Sequence, residues 1–475
     1  MKSKNLFRKI VTVTGVDRAI IYTSSSRILQ AIGGIISVLF VAKFLTGDEQ
    51  GFYYTFGSIA AIQIFFELGL NGIITQFVAH ETSNLTWKSD NTLSGESKYL
   101  SRLSSLLHFS IKWYLSFAFV LLITLITVGI IFFKRYDTSN GLINWGVPWT
   151  LLALGTSINL LVAPLIAFLE GLGKVKEMAR LRLIQYPFYL AIVWGGLVFG
   201  AKLFVPGTVS ILGGLILVVL LLSGPYLKLL LNIWKIEIVE KVHYKKEILP
   251  YQWKIALSWL SGYFIFQLFN PVLFATEGAV VAGQMGMTLA ALNGIQALSL
   301  SWISTKVPLF SGLIAQKMYD QLDSIFNRTL KQAVLINFIF LAIFFTIVFI
   351  VRFYNLKIGD IYLGNRFLDY LPMLFMMGTV FLSPFGSAWA TYLRCHKKEP
   401  YLINSLVAGI LCSLSTILLG KYLGVMGVTS GYFVISILLF PWGYNIFKTK
   451  KVEWHSSSYN ADSELFKIVT AGNGK

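Results

Sequence analysis

Three cations and one acid lie inside long hydrophobic runs of this 475-residue chain, where an ionisable side chain is costly unless it meets a partner or water. They are Arg27, Lys112, Lys306 and Glu67. Arg27 lies about 8 residues into the first run, roughly 12 Å deep, and shares a helical face with Thr23, Gln30 and Gly34. In the second run Gln63, Glu67, Asn71 and Thr75 recur every fourth residue and line one face of an otherwise apolar helix. The third run carries His108 and Lys112 one turn apart. The eighth carries Asn293, Gln296, Ser299 and Lys306 ahead of Pro308, whose missing N–H opens the backbone ladder. Such stripes permit capture of an anionic group by Arg27, Lys112 and Lys306, polar contact through Gln30, Asn71 and Gln296, and binding of a proton or cation at Glu67. Competing structural readings stand beside these: Arg27 paired with Glu67, and Lys112 and Lys306 snorkelling to the interface.

The elements that must position these residues follow from composition. The chain is 55% hydrophobic and 13% charged, with mean hydropathy +0.68, against about 25% charged in soluble domains. A soluble protein is excluded. Apolar segments run at 19–45, 52–79, 106–133, 145–169, 183–201, 207–231, 253–274, 279–312, 330–352, 367–393, 401–420 and 425–447, each long enough for the roughly 20 residues a span needs. The expected fold is an all-α polytopic membrane protein, with 12 transmembrane helices in two six-helix lobes around a central cavity. The most charged connection divides it into an N-lobe (1–232), a cytoplasmic linker (233–252), a C-lobe (253–448) and a polar tail (449–475).

The net charge of +18 would suggest nucleic acid in a soluble chain, but here the bases sort by side. The termini and the even-to-odd connections carry 29 of the 40 Lys and Arg, and the odd-to-even connections carry 7. By the positive-inside rule both termini are cytoplasmic, and no nucleic-acid partner is expected. The basic N-terminus precedes a long apolar segment without a small-residue cleavage site, which reads as a retained tail. Cys395 and Cys412 lack metal or redox spacing. No phosphate loop, HExxH or GxSxG motif is present, and no outer loop exceeds about 15 residues, so no cofactor, metal or enzyme activity is expected.

The stretch AKFLTGDEQGFYYTFGSIAAIQIFFELGLNGIITQFVAHE (42–81) resembles the start of O-antigen flippases, the Wzx-type polysaccharide exporters. It carries Gly47-Asp48-Glu49-Gln50-Gly51 at a short outer turn, the aromatic run Phe52-Tyr53-Tyr54, and Phe66-Glu67-Leu68-Gly69-Leu70. The resemblance implies membership of the multidrug, oligosaccharidyl-lipid and polysaccharide exporter superfamily, in the inner membrane. It implies, as substrate, an undecaprenyl-diphosphate-linked oligosaccharide turned from the cytoplasmic to the periplasmic leaflet, and, as partners, an O-antigen polymerase and a chain-length regulator. A cationic cavity described for such proteins would suit Arg27, Lys112 and Lys306.

Two rival functions share the layout. A small-molecule (multidrug) antiporter would favour an acidic cation site, whereas the charges inside spans are three basic to one acidic. An integral membrane polysaccharide polymerase would require a long outer loop bearing catalytic Arg or His.

Overall fold

A chain crossing a bilayer must satisfy its own backbone hydrogen bonds, and helices do so within one segment. The computed structural model describes residues 18–472 apart from 89–91, 140, 359–360 and 397, and it is almost entirely helical. Helix α1 is Arg18–Phe44, α2 is Gly47–Thr82 and α3 is Ser97–Tyr136. Helices α4 (Gly146–Leu169), α5 (Val175–Val198) and α6 (Phe204–Ser223) complete the first lobe. The second lobe holds α7, in two pieces (Leu249–Phe266 and Phe269–Glu277), α8 (Ala279–Ala315), α9 (Tyr319–Phe353) and α10 (Tyr370–Arg394). A final helix, Leu402–Gly472, breaks at Gly424 (φ 56°) into α11 (402–423) and α12 (425 onward). Each of the twelve expected apolar segments falls on helix, and among the described residues nine helices, some of them continuous across two segments, are long and apolar enough to cross a membrane.

Several helices outrun their apolar cores for identifiable reasons. Helix α2 begins at Gly47, ahead of the expected 52, because Thr46 caps it: its hydroxyl accepts from the Glu49 amide at 3.2 Å, and Glu49 reaches back to the Thr46 amide at 2.9 Å. The polar stretch 80–104, expected as a loop, forms a small hairpin (Leu85–Trp87 against Leu93–Gly95) before α3 starts at Ser97. The segment after 448, expected as a polar tail, continues α12 as helix.

Within the first lobe α4 packs on α6, α1 on α5 and α3 on α4; within the second, α10 and α7 pack on the α11–α12 pair and α8 on α9 and α10. The lobes meet where α1 and α2 lie against α8 and where α2 lies against α7. Phe274 of α7 inserts into the aromatic core of the first lobe, 4.9 Å from Phe52 and 5.5 Å from Phe133 between ring centres. The end of the molecule holding residue 18 and the α2–α3 and α6–α7 connections is called here the terminal end, and the other the distal end.

The connection between the lobes is strapped to the start of α3. Ser101 accepts from the amides of Val239 and Glu240, and Ser104 donates to the Ile236 carbonyl. Arg102 bonds Glu81 at 3.0 Å, pairs with Glu247, and lies 3.7 Å from Glu240. Burial alone would raise the Glu247 carboxyl, but hydrogen bonds from Arg102 and the His243 amide outweigh it and hold it below the ordinary carboxylate value. A depressed folded-state value stabilises at neutral pH and is lost as pH falls through it. Arg102→Ala should therefore loosen this strap near pH 7, raising limited-proteolysis rates within 235–248 by about ten-fold, and the difference from wild type should shrink once Glu247 is protonated.

Candidate functional site

Helix α2 does not cross in one piece. After a tight turn at Ala61–Gln63, the chain turns left-handed at Leu68 (φ 47°) and Gly69 (φ 68°), directly after Glu67, and helix resumes at Leu70. Left-handed backbone costs an L-residue about 1–2 kcal/mol, so glycine at 69 halves the strain, and any Cβ there would overlap Ile255 of α7. The break exposes the carbonyl end of one half-helix beside the acid, an arrangement suited to a cation or proton.

The four-residue spacing survives the break and builds a network. Asn71 donates from Nδ2 to Glu67 Oε1 at 2.7 Å, and Tyr114 of α3 donates its hydroxyl to Asn71 Oδ1 at 2.7 Å. Thr75 donates to the Asn71 carbonyl at 3.1 Å and to the Ala167 carbonyl of α4 at 3.0 Å. Glu67 is half-buried and forms no ion pair among the described residues. Protonation would turn Glu67 from a pure acceptor into a donor and weaken its hold on Asn71.

Two cavities flank this network inside the first lobe, sharing Asn159 of α4. The smaller, about 250 Å³, is lined by Asn71, Thr75, Asn159 and the Glu170–Arg182 ion pair (3.0 Å). The larger, about 420 Å³, is lined by Tyr53, Tyr54, Tyr189, Asn159, Gln185 and Ser210. Its amides are fixed: Asn159 donates to the Ser210 carbonyl and Gln185 to the Gly213 carbonyl, both at 2.9 Å. That leaves both amide oxygens as acceptors. The hydroxyls of Tyr53, Tyr54 and Tyr189 meet no hydrogen-bond partner among the described residues. The chamber therefore offers three phenols that donate and accept, two amide acceptors and no formal charge.

A groove of about 390 Å³ parts the lobes between α1 and α8 in the terminal half, lined by Gln30, Gly34, Asn293, Gly294, Ser301 and Ser304. Tyr186 joins groove to chamber, donating to the Gln30 carbonyl at 3.3 Å and stacking on Tyr189 at 5.4 Å. On the other side of the cleft, Phe65 closes against Tyr263 (5.0 Å) and Phe264 (5.8 Å).

Of the residues singled out in the sequence, Glu67 and Asn71 are joined, and Gln30 lines the groove. Gln296 turns into its own lobe and donates to Ser383 of α10. Lys112 shares an exposed face with Leu115, Phe119, Val120 and Ile123, opposite the buried Tyr114, Ala118 and Leu121; in a bilayer that face meets lipid. Lys306 is exposed where α8 is interrupted between Ala279–Ser304 and Val307–Ala315, two residues beyond Ser304. Arg27 lies on α1, and its side chain is outside the described residues. Neither Lys112 nor Lys306 lines the two cavities or the groove described above.

The distal end is closed by residues that the sequence reading did not select. Gln50, buried at 1% exposure, donates to the Gly283 carbonyl of α8 at 2.7 Å and to the Arg366 carbonyl at 3.0 Å. Arg366, 5% exposed, returns bonds to Gln50 Oε1 and the Leu45 carbonyl. Gly51 packs so closely on Ala279 that a Cβ would overlap its carbonyl. Asn270 donates to Ser58 at 3.0 Å just beneath. The signal was a glutamine between glycines in Gly47-Asp48-Glu49-Gln50-Gly51.

No protein-family model matches the chain, and none of the curated proteins does. Solved structures share its fold. One is an inward-facing conformation of a multidrug resistance MATE family transporter of the MOP superfamily, with 14% identity, TM-score 0.57, and coverage of 88% of this chain and 98% of that one. Another is the MATE multidrug transporter DinF-BH, with 10% identity, TM-score 0.56, and coverage of 90% and 94%. A third is a MOP superfamily transporter from Pyrococcus furiosus whose reversed pocket polarity is described as suggesting a different function (13% identity, TM-score 0.51, coverage 90% and 95%). At these identities the likeness establishes the fold.

Proposed function

We propose that the chain is an alternating-access transporter of the cytoplasmic membrane, with both termini cytoplasmic, seen in its cytoplasm-open form, and that it exchanges a proton or cation at Glu67 for its substrate. The observation that carries this is the broken α2, which sets an acid that forms no ion pair among the described residues and the cavity-lining Asn71 in one hydrogen bond. Charged Glu67 holds the Asn71 amide tightly; protonated Glu67, a weaker acceptor, loosens it toward the cavity that Asn71 lines. Ion and substrate then compete through one side chain, which is the requirement for exchange. The closed distal end and the parted α1–α8 groove supply one of the two forms that such a cycle needs.

For the substrate, an ion-coupled small-molecule (multidrug) antiporter is the reading that the similar structures support at least as well as any other. A second reading, flipping of an undecaprenyl-diphosphate-linked oligosaccharide, is favoured by the chamber itself. An organic cation would satisfy the ring faces but leave three phenolic protons without acceptors, whereas a polyhydroxylated ring supplies both donors and acceptors. In that reading Arg27 and Lys306 engage the diphosphate, Gln30 and Asn71 contact the head group while Gln296 stays bonded to Ser383, and a polymerase and chain-length regulator act downstream; Lys112 serves as an interfacial anchor.

The deciding experiment reconstitutes the protein in vesicles carrying an inward proton gradient. It compares expulsion of a fluorescent organic cation with leaflet transfer of a radiolabelled polyprenyl-diphosphate oligosaccharide. Gradient-dependent transfer of the lipid-linked sugar, reduced by Tyr189→Ala and abolished by Arg27→Ala, establishes the flippase. Expulsion of the cation alone establishes the antiporter, and transport of neither overturns the transporter reading.

A further inference from the structure

The second lobe carries an open groove of about 590 Å³ between α9 and α10, which shares no lining residue with the chamber or with the cavity at Asn71. Its lining is ordered by polarity along its length. Asn327 and Lys331 sit at the terminal end, followed by Leu335 and Phe338 on α9, with Phe381 and Phe385 of α10 forming the floor. Successive α9 positions are about one turn apart, so over three turns they form a continuous wall. The floor is rigid: Phe381 lies 6.2 Å from Phe338, and Phe385 lies 5.7 Å from Phe440 of α12.

We propose that this groove is a binding site for a single anionic phospholipid of the leaflet at the terminal end, with its phosphate at Lys331 and Asn327 and one acyl chain along the phenylalanine floor. Two features select this occupant. The first is length: from Asn327 to Phe338 the helix rises roughly 16 Å, which matches half of the ~30 Å hydrocarbon core, so the groove runs from head-group depth to the midplane and serves one leaflet. The second is charge: Lys331 and the neighbouring exposed Arg328 are cationic, and no acid lines the groove. The acid nearest on the same helix, Asp323, is committed elsewhere, pairing with Lys451 at 2.6 Å and accepting from Tyr392 at 2.7 Å. A zwitterionic head group would bring its own ammonium against these cations, so the site discriminates by head-group charge.

The test does not depend on transport. The full-length protein is equilibrated in detergent with equal amounts of phosphatidylglycerol and phosphatidylethanolamine, and retained lipid is read by native mass spectrometry. Wild type should hold one phosphatidylglycerol in preference, Lys331→Ala should lower the retained ratio of the two lipids about five-fold, and Lys331→Arg should keep it. Leu335→Trp, which fills the apolar part without touching the charge, should lower retention of both lipids. An unchanged ratio in Lys331→Ala, or unchanged retention in Leu335→Trp, overturns the site.

Discussion

Glu67→Gln should abolish gradient-driven export, by about ten-fold or more, while leaving exchange of substrate down its own gradient measurable. The glutamine keeps the size and the acceptor oxygen, so Asn71 can still donate to it and Tyr114 to Asn71. What it removes, on the coupling proposed above for Glu67, is the change of charge between the two forms of the cycle. A ligand shifts an equilibrium only by its differential affinity for the two states, so a neutral side chain that binds no proton cannot drive one. In proteoliposomes, the check is substrate accumulation with and without an imposed proton gradient. Glu67→Gln should give equal rates in both, at the undriven wild-type rate. Accumulation that still follows the gradient would place coupling elsewhere. Asn71→Leu separates the two roles, because it leaves Glu67 titratable but cuts its link to the cavity, so protons should still bind while substrate transport fails.

The reach of the sequence in this protein follows from what water and lipid each impose. Twelve spans were legible because a bilayer demands about 20 apolar residues per crossing, and loops between them are too short to hide one. Which face of a span turns inward was not legible for α3, since lipid is as apolar as a helix interior. Leu115 and Phe119 on the outer face read the same as Ala118 and Leu121 on the inner one. Lys112 therefore counted as a cavity cation on depth alone. Its orientation needed Tyr114, whose bond to Asn71 fixes the rotation of the helix. The polar stripe of α2 was legible from its four-residue spacing, yet the break inside it was not. Leu68 is an ordinary helix former, and its left-handed turn comes from the tertiary fit of Gly69 against Ile255. The distal closure was the least accessible, because Gln50 and Arg366 stand 316 residues apart and Arg366 reads as one more loop cation.

That closure yields the second large effect: Arg366→Ala should open the distal end. The arginine is placed by its own loop. Arg352 donates to the carbonyls of Gly364 at 3.1 Å and of Phe367 and Leu368 at 3.0 Å, which pins the turn from which Arg366 reaches back across the lobes. Its loss strands the Leu45 carbonyl and Gln50 Oε1 in a buried seam, and each hydrogen bond to a charged donor contributes about 1.5–3 kcal/mol. These contacts join opposite lobes, so in the proposed alternating-access cycle their loss penalises the distally closed form and spares the other. At about 1.4 kcal/mol per factor of ten, one lost bond moves the ratio of closed to open forms by roughly ten- to a hundred-fold. Spin labels at the exposed Asp48 and Lys357, in a background without Cys395 and Cys412, report the distance across this end. Arg366→Ala should add a longer-distance population absent from the parent. Gly51→Ala should reach the same state sterically, since its methyl would overlap the Ala279 carbonyl and hold α2 off α8. Both variants should transport poorly, because a carrier that cannot reclose its distal end cannot return. A distance distribution unchanged in both would show that the seam is packing alone and that the gate lies elsewhere.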